Sequence, residues 1–311
     1  LPKLNIKRLP SKTQMALTIP KVLEGHFFSH HMQGDLHVRL ERIELPAKSL
    51  KAPVRLLHLS DVHLDWNTEA WLDALLPHIH RLCESYEIDA IVFTGDAIAF
   101  GQDYLPALSD WFNALPDLPC YGVMGNHDYY EASRGKAVKA ALEAGGVHML
   151  VNESHWHEFS ETQGAVCFHG VDDFMKGHPD MAALIETAKE TPERNHVLLV
   201  HNPAQMAEPL PWGAFDIALA GHTHGGQFRC PNWLAQLLTE SPYIQNWYAI
   251  GDVFSSNGGC QLFVHYATGT ASVPCPIRLP FMSRRLPISV PRWGLMSELV
   301  IQELVPQTQE P

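Results

Sequence analysis

The 311-residue sequence has no run of about 18 apolar residues, the length a membrane-spanning helix needs, so it is not read as membrane-spanning. It has no CxxC pair, which sets aside zinc ribbons and dithiol redox motifs. The six cysteines, Cys83, Cys120, Cys167, Cys230, Cys260 and Cys275, are scattered, several inside apolar runs such as AVCF. They are read as reduced core residues rather than disulfides, which points to the cytosol. Positive charge is scarce: 22 Lys and Arg stand against 34 Asp and Glu, a net charge of −12. Such a surface repels phosphate backbones, so no nucleic-acid partner is expected. No repeat, low-complexity block or Gly/Ser linker divides the chain, which favours one large domain with insertions. The chain starts at Leu1 rather than methionine, leaving open an anchor or signal segment ahead of it, and with it an exported form.

Apolar residues at 46 % and charged residues at 18 % describe an ordinary globular protein. From Val54 onward, short apolar runs alternate with helical segments: VRLLHLS then AWLDALLPHIHRLCES, AIVFTG then YLPALSDWFNAL, CYGVMG then GKAVKAALEAG. AVCFHG, MAALIETAKE, HVLLVH and FDIALAG follow. This alternation predicts an α/β domain whose strands are buried on both faces. Residues 1–50 are expected to be an N-terminal arm with peripheral strands, HVRLERIEL among them. Residues 51–311 are expected to be the catalytic domain, with 230–270 as a substrate-binding insertion.

Histidine is abundant, at 19 residues, and its placement is not random. The apolar runs end in Asp61 and His63, in Asp96, in Asn126, His127 and Asp128, in His201, and in His222 and His224. In open α/β sheets, ligands bind at the carboxyl ends of strands. In an extended chain, residues i and i+2 point to one face, so Asp61 with His63, and His222 with His224, are each expected to aim into one cleft. Imidazole, carboxylate and amide donors without thiolate favour Mn, Fe or Zn. Seven of these nine residues as donors would already be too many for one ion and would suit two divalent ions sharing a carboxylate, the arrangement that clamps a phosphoryl transfer. Asp61 and Asp96 could also cap helices, a role compatible with ligation.

The motifs DVH, GD, GNHD, a His after an apolar run, and GHTH, in that order over residues 61–224, resemble the calcineurin-like metallophosphoesterase superfamily. The wording HLSDVHLD, GNHDYY, HNP, GHTHGGQ and the later PIRL is similar to a bacterial branch of small phosphodiesterases. The resemblance implies an α/β (α+β) fold, a four-layer αββα sandwich of two mixed sheets flanked by helices. It implies Asp61, His63 and His224 on one ion, Asn126, His201 and His222 on the other, and Asp96 between them. It implies His127 as the catalytic histidine and Asp128 as a residue orienting His127 or a ligand. The reaction implied is phosphoester or pyrophosphate hydrolysis by in-line attack of water, with manganese as the expected metal.

Other polar residues are given plainer roles. His58 and His169 are read as core, HFFSHH at 26–31 as solvated surface, and Asp172 and Asp173 as outside direct ligation. Arg134, Arg229 and Arg278 are candidates for holding substrate phosphate, since arginine makes bidentate contacts to phosphate oxygens. PNWLAQLL, YIQNWY and the basic, apolar PFMSRRLPISVPRWGLM hint at an amphiphilic substrate and peripheral contact with the inner membrane. The resembled branch includes enzymes that hydrolyse UDP-2,3-diacylglucosamine, a lipid A precursor, and that substrate is the expectation. A broad phosphodiesterase or phosphatase is the alternative, and a non-catalytic binding scaffold a remote one.

Overall fold

The structure, a computed structural model, describes residues 7–8, 13–19, 36–65, 68–99, 103–129, 134–226, 231–239, 241–250, 259–269, 273–275, 288–290 and 297–308. The expected HFFSHH surface, Arg229, Arg278, the PIRL stretch and most of the basic tail lie outside these residues.

In chain order the strands and helices are β1 (Lys7–Arg8), β2 (Thr13–Ile19), β3 (Leu36–Leu45), β4 (Val54–Leu59), α1 (Glu69–Tyr86), β5 (Ala90–Phe93), α2 (Leu105–Asn113), β6 (Cys120–Gly122), α3 (Arg134–Ala144) and β7 (Val147–Met149). They continue with β8 (Glu153–Ser160), β9 (Gly164–Gly170), α4 (Met181–Glu190), β10 (His196–Val200), β11 (Ile217–Ala220), α5 (Asn232–Thr239), β12 (Asn246–Ile250), β13 (Cys260–Val264), β14 (Val273–Cys275), β15 (Ile288–Val290) and β16 (Ser297–Pro306). Two seven-stranded mixed sheets result. One runs β1-β12-β13-β11-β10-β9-β8 and the other β2-β3-β16-β4-β5-β6-β7.

Strand alternation explains the continuous apolar runs. In β10, Val197 and Leu199 join the core between the sheets, while Leu198 and Val200 pack beneath α4. In β4, Val54 and Leu56 face the inter-sheet core, while Leu57 and Leu59 meet Trp71, Leu75 and Ile79 of α1. Each sheet is therefore covered on both faces, and period-two side-chain placement requires apolar residues at every position. The layers are helices α1–α3, one sheet, the other sheet, and α4, the expected four-layer sandwich.

Two expectations about the ends of the chain change. The strand β3, assigned to a peripheral arm, is an inner strand, paired in parallel with β16 over ten register positions and with β2 on its other side. Likewise β12 and β13, assigned to an insertion, are integral. β13 pairs with β11 in parallel and with β12 in antiparallel fashion. Of the aromatic residues in that segment, Trp247, Tyr243 and Tyr248 are buried, and Trp233 on α5 is 67 % exposed.

Polar residues disguise β16. Its Glu298 and Gln302 are fully buried. The Arg39 guanidinium pairs with Glu298 at 3.2 Å and also with Glu41, whose other oxygen accepts from the Trp247 indole at 3.0 Å. Burial would push the Arg39 guanidinium down, but Glu298 and Glu41 hold it up. Every member of this buried ion cluster thus has a partner, as a low-dielectric layer requires.

Candidate metal centre

The parallel strands β4, β5 and β6 of one sheet, and β10 and β11 of the other, all deliver their following loops to one end of the sandwich. Those loops carry Asp61 and His63, Asp96, Asn126 to Asp128, His201, and His222 and His224. Backbone bonds tie them together. Asp61 N donates to Gly95 O at 2.9 Å, His63 N to Asp96 O at 3.0 Å, and Gly221 N to His201 O at 3.0 Å. His222 N bridges the two sheets by donating to the Asp61 carboxylate at 3.1 Å.

The side chains converge through left-handed turns rather than through strand alternation. Asp61, His63, Asp96, His222 and His224 have φ of 51°, 48°, 57°, 71° and 48°. They are five of the nine non-glycine residues with positive φ among the described residues. Each such conformation costs about 1–3 kcal/mol and persists only where its surroundings over-determine it. The strain is therefore concentrated on the candidate ligands. Both pairs lie just past their strands, where the i, i+2 rule of an extended chain does not apply.

Two groups form. In the first, Asp61, His63, Asp96 and His224 each bring a ligand atom within 4.8 Å of the others. His63 Nε2 and His224 Nε2 are 3.1 Å apart, and His224 Nε2 is 3.1 Å from Asp61 Oδ1. In the second, Asp96, His201 and His222 converge. His201 Nε2 lies 3.2 Å from His222 Nδ1 and 3.1 Å from Asn126 Oδ1. Asp96 Oδ2 belongs to both, 3.4 Å from His63 Nε2 and 3.3 Å from His201 Nε2.

The donor chemistry of the second group fits a cation. His201 Nδ1 donates to Thr94 O at 2.7 Å, so a neutral ring would leave Nε2 as a bare lone pair. That lone pair faces a carboxylate oxygen, an amide oxygen and another imidazole. Acceptors converge here, and a positive charge among them relieves the repulsion. In the metal-free protein a proton does this. Burial alone would lower the His201 imidazole, but the Asp96 carboxylate overrides it and holds it up at about 10. Two neighbouring rings stay neutral: burial pushes His63 well down, and burial together with His201 brings His222 to about 3. Burial would raise the two carboxylates, yet His224 beside Asp61 and His201 beside Asp96 hold both below the usual range.

Two glycines permit the close approach. A Cβ on Gly125 would overlap Asp96 Oδ1, and one on Gly221 would overlap Ser60 Oγ. Asp128 lies against the turn that presents Asp96. Its fully buried carboxylate accepts from the backbone N–H groups of Gly125 at 2.8 Å, Ala97 at 3.0 Å, Asp96 at 3.1 Å and Ile98 at 3.4 Å. It braces the turn that presents Asp96. Burial and the Asp96 charge push Asp128 up to about 7 against those donors. His127 N donates to Asp96 Oδ1 at 2.8 Å, and its half-buried ring meets His63 edge-on, with centroids 4.8 Å apart.

Sequence reasoning missed a chain of buried groups behind Asp61. Ser60 Oγ donates to Asp61 Oδ2 at 2.6 Å, Thr94 Oγ1 donates to Ser60 Oγ at 2.7 Å, and His58 Nε2 lies 2.9 Å from Thr94 Oγ1. The small hydroxyls of HLSD and FTGD were the available signal. Asp172 and Asp173 join neither ligand group among the described residues. Asp172 accepts from Tyr129 Oη at 2.6 Å instead. Arg134 opens α3, but its side chain is outside the described residues.

The family model for calcineurin-like phosphoesterases matches residues 54–226, more than half of the chain and every loop of this centre. The chain belongs to the calcineurin-like phosphoesterase family. Among similar members, the uncharacterized metallophosphoesterase YkoQ of Bacillus subtilis is 31 % identical over 60 % of this chain and 66 % of its own. YkuE of the same organism is 29 % identical over 80 % of this chain and 85 % of its own. A "transmembrane protein with metallophosphoesterase domain" of Danio rerio is 26 % identical over 86 % of this chain and 60 % of its own. The chain thus spans less than two thirds of YkoQ and of the Danio rerio protein. Among solved structures, Haemophilus influenzae NAD nucleotidase superposes with a TM-score of 0.50 at 15 % identity, covering 70 % of this chain and 51 % of that one, a likeness of fold. The family is one of metal-dependent phosphoester hydrolases that use two metal ions. Among the described residues, no helix is long and apolar enough to cross a membrane.

Proposed function

We propose that this phosphoesterase hydrolyses the pyrophosphate or phosphodiester bond of an amphiphilic nucleotide-sugar, with UDP-2,3-diacylglucosamine as the leading candidate. The observation that carries the two-ion reading is the position of Asp96 Oδ2 between His63 Nε2 and His201 Nε2. Asp61, His63 and His224 would hold one divalent ion, Asn126, His201 and His222 the other, with Asp96 shared and manganese the expected metal. Such ions supply Lewis acidity and an acidified water. The protein's own work is then positional. Asp128 fixes the Asp96 turn, Thr94 O fixes the His201 ring, and His127 stands at the rim to protonate the leaving oxygen. No side chain forms a covalent bond to phosphorus, so hydrolysis in 18O water should place one label on a phosphate product.

The amphiphile is supported by three exposed apolar residues that follow β9 or β11, parallel strands whose carboxyl ends lie at the site's end of the sheet. Phe174 is 39 % exposed and Met175 47 %, on the loop that Tyr129 fastens through Asp172, and Trp233 stands on α5 shortly after the GHTH turn. Such side chains beside a phosphate site suit acyl chains and contact with a membrane surface. Arg134, Arg229 and Arg278 remain candidates for holding the phosphates. The test is a comparison, with manganese, of UDP-2,3-diacylglucosamine, its deacylated form and a generic aryl diester. Strong preference for the acylated sugar supports the reading; equal rates favour a broad phosphodiesterase.

A further inference from the structure

A second cluster of ligand-type side chains lies far from the first. Cys167 and His169 are two residues apart on β9 and share a face, and His196 is the register partner of Cys167 at the start of β10. All three are buried, and Cys167 Sγ and one nitrogen of each ring lie within 4.8 Å of one another. His169 Nε2 and His196 Nδ1 are 2.9 Å apart. His201 ends the same strand five residues later, about 16 Å away at ~3.3 Å per residue. The cluster therefore belongs to the opposite end of the sheet.

The outer nitrogens determine where the lone pairs point. His196 Nε2 lies 2.9 Å from Thr191 O, which can only accept, so Nε2 carries the proton and Nδ1 is a lone pair. His169 Nδ1 lies 2.7 Å from Ser154 Oγ, a hydroxyl that donates or accepts as required. When Ser154 accepts, His169 Nε2 becomes a second lone pair beside the first, next to the Cys167 sulfur. Imidazoles that donate backwards to an oxygen and present the other nitrogen forwards are how proteins orient metal-ligating histidines. Without an ion the same groups close a hydrogen-bonded chain from Ser154 through both rings to Thr191.

We propose that Cys167, His169 and His196 form a separate site for one thiophilic cation, Zn2+, which ties β9 and β10 to Ser154 of β8 and to the turn after α4. One thiolate and two imidazoles make a softer donor set than the thiolate-free groups at the other end of the strands. The protons balance. The Cys167 thiol releases its proton to solvent, the His169 proton moves from Nε2 to Nδ1, and the Ser154 hydroxyl turns from donor to acceptor. Zinc–nitrogen bonds of ~2.0–2.1 Å set tetrahedral nitrogens roughly 3.3 Å apart, so the rings part by a few tenths of an ångström. Burial helps and hinders. It brings His169 to about 3, with His196 assisting, which keeps the ring neutral and able to ligate. It also pushes the Cys167 thiol up to about 11, so uptake strengthens as pH rises. Exposed Ser154 and half-buried Trp156, with the Arg194 guanidinium 4.1 Å over its ring, put the site one residue beneath solvent, where water can supply a fourth ligand.

The test is a Co2+ titration of the metal-stripped full chain, with cobalt standing in for zinc. The expected result is a thiolate-to-cobalt charge-transfer band that saturates with one equivalent beyond those bound at the thiolate-free centre. Cys167→Ser should abolish the band and remove one equivalent while leaving hydrolysis of a generic aryl diester unchanged. His196→Gln removes a ligand and should weaken that equivalent by more than the roughly 10–100-fold that loss of a group behind a ligand costs. Absence of the band from the unaltered chain at saturating cobalt overturns the proposal, and so does a band that survives Cys167→Ser. The first result is read on the unaltered protein, so it decides the matter even if the variants fold poorly.

Discussion

His201 Nε2 lies 3.3 Å from Asp96 Oδ2 while the opposite nitrogen of the same ring is committed to Thr94 O. This pair joins the two sheets at their carboxyl ends and makes Asp96 common to both ligand groups. The ring cannot turn away from the carboxylate without breaking a buried bond, so the site is built before any ion arrives.

Asp96→Asn tests that sharing. It should remove both ions at once and lower hydrolysis by at least ~10³-fold, since Lewis acidity contributes several kcal/mol and each ~1.4 kcal/mol is tenfold. Metal analysis beside the assay checks it; a variant that keeps two ions would show that Asp96 is not shared.

His127→Ala should behave differently. Its ring packs against His63 but joins neither ligand group, so metal content should stay at two while turnover falls by ~10²–10⁴-fold on a substrate with a poor leaving group. The loss should shrink on an aryl ester, whose leaving oxygen needs no proton. Equal losses on both substrates would end the acid role.

Ser60→Ala probes the chain behind Asp61. Removing the 2.6 Å bond to Asp61 Oδ2 should weaken metal affinity by roughly 10–100-fold with little change in folding. Competition with a chelator measures it, and unchanged affinity would make the Ser60–Thr94–His58 chain purely structural.

Stability without metal should depend on pH through His201. Its folded value of about 10 lies above the ordinary 6.5, so the His201–Asp96 attraction contributes fully below about 6.5 and is lost as pH rises through about 10. Melting temperatures of chelator-treated protein should therefore fall between pH 7 and 10. Protein holding its metals should lack this term, since the ions replace the proton. A flat apo profile over that window would contradict the assignment.

The α/β alternation from Val54 onward was readable because β4, β5, β10 and β11 are buried on both faces and each helix carries one apolar stripe. The seven candidate ligands were readable because each follows such a strand. The left-handed turns were not, since residue spacing carries no φ. β16 stayed hidden because Glu298 and Glu303 look solvent-facing until Arg39 on β3 and Arg55 on β4 supply their partners, and because Gln302 is buried beside His58. The arm assignment failed for the same reason: β3 becomes an inner strand only when a segment more than 250 residues away returns to pair with it. Asp128 was read as orienting His127 or a ligand; its partners are four backbone N–H groups that no side-chain pattern announces.

The central claim is two ions working together on one phosphoester, and a manganese titration of metal-stripped protein tests it most directly. Hydrolysis of an aryl diester, followed alongside bound manganese, should be absent at first and reach its plateau at two ions per chain. Manganese has little affinity for a thiolate site, so Cys167 should not disturb the count. Full activity in the stripped protein, or a plateau at one ion, would contradict the account.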